Sequence, residues 1–210
     1  MTEQSAGNEG NTGGYMDGHQ SVNKVGYQDW IVPDWPAPKT IRSLITTRSG
    51  GVSEGRYASL NLGDHVGDDP AACRENRARL RRFLPAEPLW LTQVHGTTVV
   101  NETAAPGTAA DAAVTGVAGV VIGVLTADCL PVLLCDRQGS VAGVAHAGWR
   151  GLATGVIENT VARMQRAPED LIAYLGPAIG PRAYEVGEDV LNAFVAVDPD
   201  ARAEIGRAHV

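Results

Sequence analysis

The sequence predicts one soluble domain that mixes short β-strands with amphipathic helices. Its 210 residues are enough for a single domain with a proper core. A hydrophobic content of 44% and a charged content of 20% are typical of globular proteins. Short apolar runs, many of them β-branched, indicate strands, and a few longer segments have the period of a helix.

The strands are expected where apolar runs end at Gly, Pro or a polar residue. In chain order these runs are Ile41–Thr47, Leu89–His95, Thr97–Val100, Val120–Leu125, Val132–Cys135, Val141–Ala145 and Ile172–Leu175. Helical patterns cover Ala71–Phe83, Leu152–Arg166 and Glu188–Val197. An aspartate at 68 or 69 can cap the first helix, with Pro70 in its first turn.

The two ends of the chain differ from this domain. Residues 1–28 are rich in Gly, Asn, Gln and Ser without a periodic apolar pattern, so we interpret them as a disordered leader. They contain no apolar core of a signal peptide. The peptide 204–210 is typical of read-through into a sequencing adapter. It is expected to be a non-native tail, so His209 receives no function.

The net charge indicates which kinds of binding partner are unfavourable, and the cysteine content indicates the cellular compartment. The formal net charge of -7 argues against a nonspecific nucleic-acid surface, and it leaves room for a small anionic substrate held by local arginines. The most apolar window, Val114–Leu134, is interrupted by Asp128 and Pro131, so it predicts buried strands rather than a membrane span. Three cysteines without framework spacing indicate a reducing, cytoplasmic location.

Three metal-ligand types stand where apolar strands give way to turns: His95, Cys129 and His146. Zinc accepts thiolate sulfur and imidazole nitrogen, and three protein ligands leave one position open, as in a catalytic site. Three residues buried without a metal are the alternative. Two His and one Cys also suit a blue-copper centre, which needs a weak axial ligand such as Met. Since Met164 belongs to a helix face, copper (Cu²⁺) ranks below zinc (Zn²⁺).

The sequence resembles the YfiH family, also called the multicopper polyphenol oxidase or laccase-like family, whose members include purine nucleoside phosphorylases. The resemblance runs from about Trp30 to Ala203. It is carried by six blocks in family order: TTRSGGVS (Thr46–Ser53), YASLNLGDHVGD (Tyr57–Asp68), WLTQVHG (Trp90–Gly96), TADCLPVLL (Thr126–Leu134), HAGWRGL (His146–Leu152) and LGPAIGPRAYEVG (Leu175–Gly187).

The resemblance implies an α+β fold, a single catalytic domain over 29–203 with packed mixed β-sheets flanked by helices. It implies a zinc site on the same His95, Cys129 and His146. The implied activity is phosphorolysis of adenosine, inosine or guanosine, with adenosine deamination and methylthioadenosine cleavage as side activities. The family pattern continues further, so the domain is expected to be C-terminally truncated.

The sequence is also compatible with other functions. A role in editing peptidoglycan precursors is attached to bacterial members of the family, and the older family name suggests a copper-dependent polyphenol oxidase. A non-enzymatic fold with a structural metal is a third class. The expected partners are a small nucleoside and phosphate, without nucleic acid or membrane, and no pattern predicts the oligomeric state.

Further site residues are hypotheses from side-chain chemistry. Zinc lowers the pKa of bound water and could supply the nucleophile for deamination, with Asp128 as the proton carrier. The alternative role of Asp128 is to accept backbone N–H groups in its turn. Arg48 and Arg150 are expected to clamp phosphate, because a guanidinium matches phosphate oxygens.

The nucleoside contacts are predicted in two loops. His65 lies in a polar loop and could bind phosphate or ribose, or simply order that loop. Asn61 and Gln93 are expected to contact the ribose or the base.

Overall fold

Five strands form one mixed sheet in the computed structural model, which describes residues 29–205. In spatial order they are β2 (Val99–Asn101), β3 (Ala112–Thr115), β6 (Ala142–Ala147), β5 (Leu130–Asp136) and β7 (Leu171–Leu175). The β2–β3 pair is parallel and the other three pairs are antiparallel. A separate parallel pair joins β1 (Pro88–Leu89) to β4 (Val121–Ile122).

The helices are α1 (Pro70–Arg81), α2 (Trp149–Thr154), α3 (Val156–Met164), α4 (Glu188–Val195) and α5 (Ala201–Glu204). The cap of α1 is as predicted, because the Asp69 carboxylate accepts a hydrogen bond from the N–H of Ala71 at 2.9 Å and Pro70 opens the helix. Mixed sheets accompanied by helices confirm the predicted α+β class.

The central sheet is apolar on both faces. On one face, Val156 and Met164 of α3 pack with Val114, Val132 and Leu134 in a buried cluster. On the other face, a second cluster of buried side chains lies between the sheet and the β1 region; it comprises Leu89, Leu91, Ala110, Ala113 and Val144. Side chains alternate between the faces along each strand. The central strands are therefore rigid supports for residues at their ends.

The long loop before α1 is tied down by a buried side chain, Asn76 of α1. The Asn76 amide is fully buried, accepts a hydrogen bond from the N–H of Val52, and donates to Ser53 Oγ and to the carbonyls of Ser59 and Asn61. One side chain thus replaces the backbone pairing that a strand would supply.

One predicted strand is absent and two are shorter than expected, and in those two a side chain takes backbone hydrogen bonds. Ile41–Thr47 is wrong as a strand, since it pairs only at a single bridge between Ile45 and Ile31. Within Leu89–His95 the strand stops at Leu89, and the N–H groups farther on turn to a carboxylate. Within Val120–Leu125 the strand covers two residues, because the Gln93 amide binds both backbone groups of Leu125.

The helix predicted over Leu152–Arg166 is two helices. Gly155 has φ +101° and closes α2 in a left-handed turn before α3 begins. The apolar period runs across this break, so periodicity alone could not reveal it. Strand β3 was not predicted, because its small alanines give a weak strand signal. The four-residue helix α5 was not predicted either.

The predictions for the chain ends fall mostly outside the described residues. The disordered leader 1–28 lies there entirely, as do residues 206–210 of the expected tail, whereas Glu204 ends α5. Within residues 29–205, none of the helices has the length and apolar character needed to cross a bilayer.

Candidate metal centre

Three side chains that are far apart in sequence converge beside the central strands. His95, Cys129 and His146 each offer a ligand atom, and these atoms all lie within 4.8 Å of one another. Nε2 of His95 lies 3.9 Å from Sγ of Cys129, and the two imidazole rings meet edge to face with centroids 4.8 Å apart. Tetrahedral zinc bonds of about 2.0–2.3 Å separate such donors by roughly 3.3–3.8 Å. The cluster could therefore hold a metal ion.

His146 is placed by strand β6. Its imidazole is 4% exposed, and Nδ1 lies 2.8 Å from Oδ1 of Asp111. Its backbone N–H donates to the carbonyl of the same Asp111 at 2.7 Å. Because Nδ1 is occupied by the carboxylate, Nε2 is the nitrogen left to face a ligand.

His95 lies in a tight turn with an uncommon backbone conformation. Its φ of +58° is in the left-handed region, which costs a residue with a Cβ about 1–2 kcal/mol. The N–H groups of Val94, His95 and Gly96 all point to the Asp111 carboxylate, at 3.1, 2.9 and 2.7 Å. The three hydrogen bonds to this carboxylate thus offset the conformational cost of the turn that presents His95.

The Asp111 side chain is fully buried and remains charged. Burial alone would raise its pKa, but the hydrogen bond from His146 and the three backbone N–H groups together hold the pKa of Asp111 below its ordinary value. A negative charge therefore lies directly behind two of the candidate ligands.

Cys129 immediately precedes β5 and is half-buried. Burial, followed by the carboxylates of Asp128 and Asp111, raises the pKa of the Cys129 thiol above its ordinary value. Thiolate is the form that binds metal, so a cation that binds here has to displace the thiol proton.

Glycine at 148 lets the backbone approach the cluster. A Cβ atom added there would lie 2.8 Å from Cδ2 of His95 and 3.0 Å from Sγ of Cys129. The turn after β6 therefore forms one wall of the centre. Exposure increases from buried His146 through half-buried Cys129 to exposed His95, so the cluster opens to solvent on the His95 side.

Two of the predicted catalytic residues are chain neighbours of the centre. Arg150 lies in the first turn of α2 and is exposed to solvent, with its guanidinium 4.2 Å from the ring centroid of Trp149. Asp128 is exposed, and its carbonyl accepts the N–H of Ile179 at 2.9 Å. That bond brings the Gly- and Pro-rich loop after β7 beside the centre.

The other predicted site residues have partners within the protein. The Arg48 guanidinium donates to the carbonyls of Ala58 and Arg56 at 2.7 and 3.1 Å. The Gln93 amide donates to the Leu125 carbonyl at 2.8 Å and accepts its N–H at 2.6 Å.

Asn61 and His65 lie in the loop before α1. The Asn61 amide binds the backbone of Gly63 and the carboxylate of Asp68. His65 is exposed, with Nδ1 3.7 Å from an Asp64 carboxylate oxygen. Within residues 29–205, no hydrogen bond or ion pair joins either of them to the three candidate ligands.

Sequence reasoning missed two residues of this centre, Asp111 and Gly148. Asp111 sits among alanines, in AADAA from 109 to 113. An acid in a run of small apolar residues was a usable signal, because a buried carboxylate needs several donors. Nothing in the sequence shows how closely Gly148 approaches its neighbours.

Comparison with known families and structures places this chain among related proteins. The family model described as "Multi-copper polyphenol oxidoreductase laccase" matches residues 42–209. A purine nucleoside phosphorylase of Pseudomonas aeruginosa is 53% identical over 174 residues, which cover 83% of this chain and 72% of the relative. Purine nucleoside phosphorylase YfiH of Escherichia coli is 52% identical over 177 residues, covering 82% of this chain and 73% of the relative.

Solved structures share the fold. A crystal structure from Neisseria meningitidis, described as DUF152, matches with a TM-score of 0.80 and 51% identity, covering 85% of this chain and 76% of that one. A Bacillus licheniformis YfiH structure matches with a TM-score of 0.71 and 26% identity, over 78% of this chain and 68% of that one.

Proposed function

The chain belongs to the multi-copper polyphenol oxidoreductase laccase family, and on that premise we propose that it is a zinc-dependent, cytoplasmic purine nucleoside phosphorylase. Its substrates are adenosine, inosine and guanosine together with phosphate, and adenosine deamination and methylthioadenosine cleavage are side activities. The observation that carries the proposal is the convergence of His95, Cys129 and His146, in a chain about half identical to proteins named purine nucleoside phosphorylases.

The donor set supports zinc as the metal. Two imidazole nitrogens and one thiolate sulfur suit Zn²⁺ and leave one coordination position for an exchangeable ligand. A blue-copper centre would need an axial donor such as Met. Met164 is 2% exposed in the core, with its sulfur against Gly143 rather than in the cluster. When bound, zinc would be held by His95, Cys129 and His146 and would supply a Lewis acid.

Arg150 is the proposed phosphate ligand. Its guanidinium is exposed, is held over the Trp149 ring, and follows the wall residue Gly148 by two positions. A guanidinium presented in this way can bind two phosphate oxygens at once. Phosphorolysis then forms a bond from an oxygen of hydrogen phosphate to C1′ of the ribose and breaks the bond from C1′ to the base, and the base leaves with the proton that the phosphate gives up.

The remaining residues are proposed in less direct roles. Asp128 is exposed beside Cys129 and carries a proton during adenosine deamination. Exposed His65 contacts phosphate or ribose, and Arg48, whose guanidinium also donates to two loop carbonyls, is the second phosphate clamp. Asn61 and Gln93 contact the nucleoside. Their side-chain amides also donate hydrogen bonds to the carbonyls of Gly63 and Leu125, which orders the two loops.

The test is release of free base from inosine by purified, metal-analysed protein with and without phosphate. We expect hypoxanthine and ribose 1-phosphate in equal amounts, only with phosphate, and loss of both in Cys129→Ser together with the metal. Arg150→Ala should raise the KM for phosphate at least tenfold, with exposed Arg163→Ala as the matched control. Base release at the same rate without phosphate, or none from fully loaded protein, would contradict the proposal.

The side activity has its own test. Adenosine conversion to inosine should fall at least tenfold in Asp128→Asn, because a general acid–base group contributes about 10²–10⁴-fold. Unchanged deamination would remove Asp128 from that role.

A copper-dependent polyphenol oxidase is the second candidate, because the description of the family names multi-copper chemistry. Residues 29–205 contain one three-residue cluster of this kind, whereas four-electron reduction of oxygen requires several coppers. Visible absorption of a copper–thiolate centre in protein purified without added metal, with oxygen uptake on phenols, would favour the oxidase.

A further inference from the structure

We infer that Asp111 is a positioning residue that holds two of the three candidate metal ligands in place at once. This inference rests on the proposed metal centre, which it deepens. The carboxylate acts through the backbone of the His95 turn and through the ring of His146. Its removal should therefore disturb the geometry of the centre before it disturbs the fold.

The first contact fixes the turn that presents His95. Three successive N–H groups, those of Val94, His95 and Gly96, converge on the two oxygens of Asp111 at 2.7–3.1 Å. Successive N–H groups around one anion form a concave binding site that needs an unusual backbone path. The left-handed φ of His95 supplies that path, so the anion and the turn depend on each other.

The second contact orients His146. Oδ1 of Asp111 lies 2.8 Å from Nδ1 of the imidazole, and the carbonyl of Asp111 accepts the His146 N–H at 2.7 Å. A carboxylate on one ring nitrogen fixes the tautomer, keeps the proton on Nδ1 and makes the opposite nitrogen a better metal ligand. Asp111 thus fixes the position of both the main chain and the ring of His146.

Among the described residues, no Lys or Arg forms an ion pair with the Asp111 carboxylate. Within residues 29–205, its one ion-pair partner is His146. Four hydrogen bonds satisfy the buried carboxylate. A divalent cation held by His95 and His146 would be close to this negative charge, which would favour its binding electrostatically.

A second buried aspartate offers a matched control. Asp136, at the opposite end of β5 from Cys129, is 1% exposed and accepts hydrogen bonds from Ser140 and Val141 in the β5–β6 turn. Asp111→Asn and Asp136→Asn each replace a buried, hydrogen-bonded carboxylate by its isostere. Only Asp111 contacts the metal ligands, so the pair separates a role at the centre from a general loss of stability.

The experiment compares wild type, Asp111→Asn and Asp136→Asn by zinc competition against a chromophoric chelator and by the visible spectrum after loading with Co²⁺. We expect Asp111→Asn to bind zinc 10–100-fold more weakly and to show shifted Co²⁺ bands. Asp136→Asn should keep the wild-type affinity and spectrum while losing thermal stability. Unchanged zinc affinity and Co²⁺ spectrum in Asp111→Asn would overturn the inference while leaving the proposed function intact.

A measurement on wild-type protein alone keeps the inference testable if Asp111→Asn does not fold. In the zinc-loaded protein, ¹⁵N–¹H correlation spectra of the histidine rings should show His146 protonated at Nδ1. A proton on Nε2 instead would overturn the inference. Wild type that binds no zinc at all would overturn the proposed function together with it, so the two failures are distinguishable.

Discussion

The backbone of Gly148 lies so close to His95 that a Cβ atom on the glycine would be 2.8 Å from Cδ2 of the imidazole. The same atom would lie 3.0 Å from Sγ of Cys129. Non-bonded carbon atoms reach their optimal contact only at about 3.5–4.0 Å. Any side chain at position 148 must therefore displace one of two candidate metal ligands.

Gly148→Ala is expected to weaken zinc binding at least tenfold while the protein still folds, since the clash falls on two ligand side chains rather than on the core. Chelator competition measures the affinity, and circular dichroism checks the fold. Gly123→Ala is the matched control, because a Cβ there has nothing within 4 Å. Equal zinc affinities for the two variants would show that the ligands move aside without cost.

The three cysteines should differ in alkylation by iodoacetamide. In metal-free protein Cys129 should react first, because Cys73 is 2% exposed and Cys135 is 0% exposed. Burial, followed by the charge of Asp136, also raises the pKa of Cys135 to about 11. Peptide mass spectrometry over time measures each rate.

Zinc should then protect Cys129, since a coordinated thiolate is a poorer nucleophile and is covered. Cys129→Ser should lack the fast, zinc-sensitive labelling. Labelling of Cys129 at the same rate with saturating zinc would argue that its sulfur is not a ligand.

Asn76→Ala should lower the free energy of unfolding by about 2 kcal/mol or more, because the fully buried Asn76 amide would no longer bond the N–H of Val52 and the carbonyls of Ser59 and Asn61. Urea denaturation measures the change. Asn159→Ala is the control, since the exposed Asn159 amide makes one bond, to the Thr97 carbonyl, and should cost about 1 kcal/mol or less. Equal losses would mean that the loop before α1 is held by other contacts.

Asp136 should contribute a pH-dependent part of stability. Burial raises its pKa, but hydrogen bonds from Ser140 and Val141 outweigh burial, so its pKa in the folded protein is lowered. A lowered pKa stabilises the fold fully above the unfolded value of about 3.9 and loses that stabilisation as the pH falls further.

The free-energy difference between wild type and Asp136→Asn should therefore be constant from about pH 5 to 7 and shrink below about pH 4. Urea denaturation at several pH values gives this difference. A difference that grows on acidification would mean that the carboxyl is protonated in the folded state.

The candidate metal ligands were predictable from the sequence because their chemistry is visible in single residues. His95, Cys129 and His146 all carry soft or borderline donors where apolar runs end, and the structure brings them together. The α+β class was implied by the resemblance to the YfiH family, while apolar periodicity located most of the strands and helices, because it reports which residues face a core.

The missed features depend on contacts between distant segments. The Asp111 carboxylate draws N–H groups of the His95 turn out of any strand, and the Gln93 amide does the same to Leu125. Neither event leaves a mark on local propensity. The break at Gly155 was missed because the apolar face continues on both sides of it.

The separation of the candidate ligands along the chain gives a bound ion a second role. His95 and Cys129 are 34 positions apart, so an ion that joins them closes a loop, like a removable cross-link. Because such an ion would bind the folded chain more tightly than the unfolded chain, mass action would make the melting temperature rise with free metal. An excess of a thousandfold over Kd corresponds to about 4 kcal/mol. Purification in chelating buffers would then yield protein that proteases cut more readily.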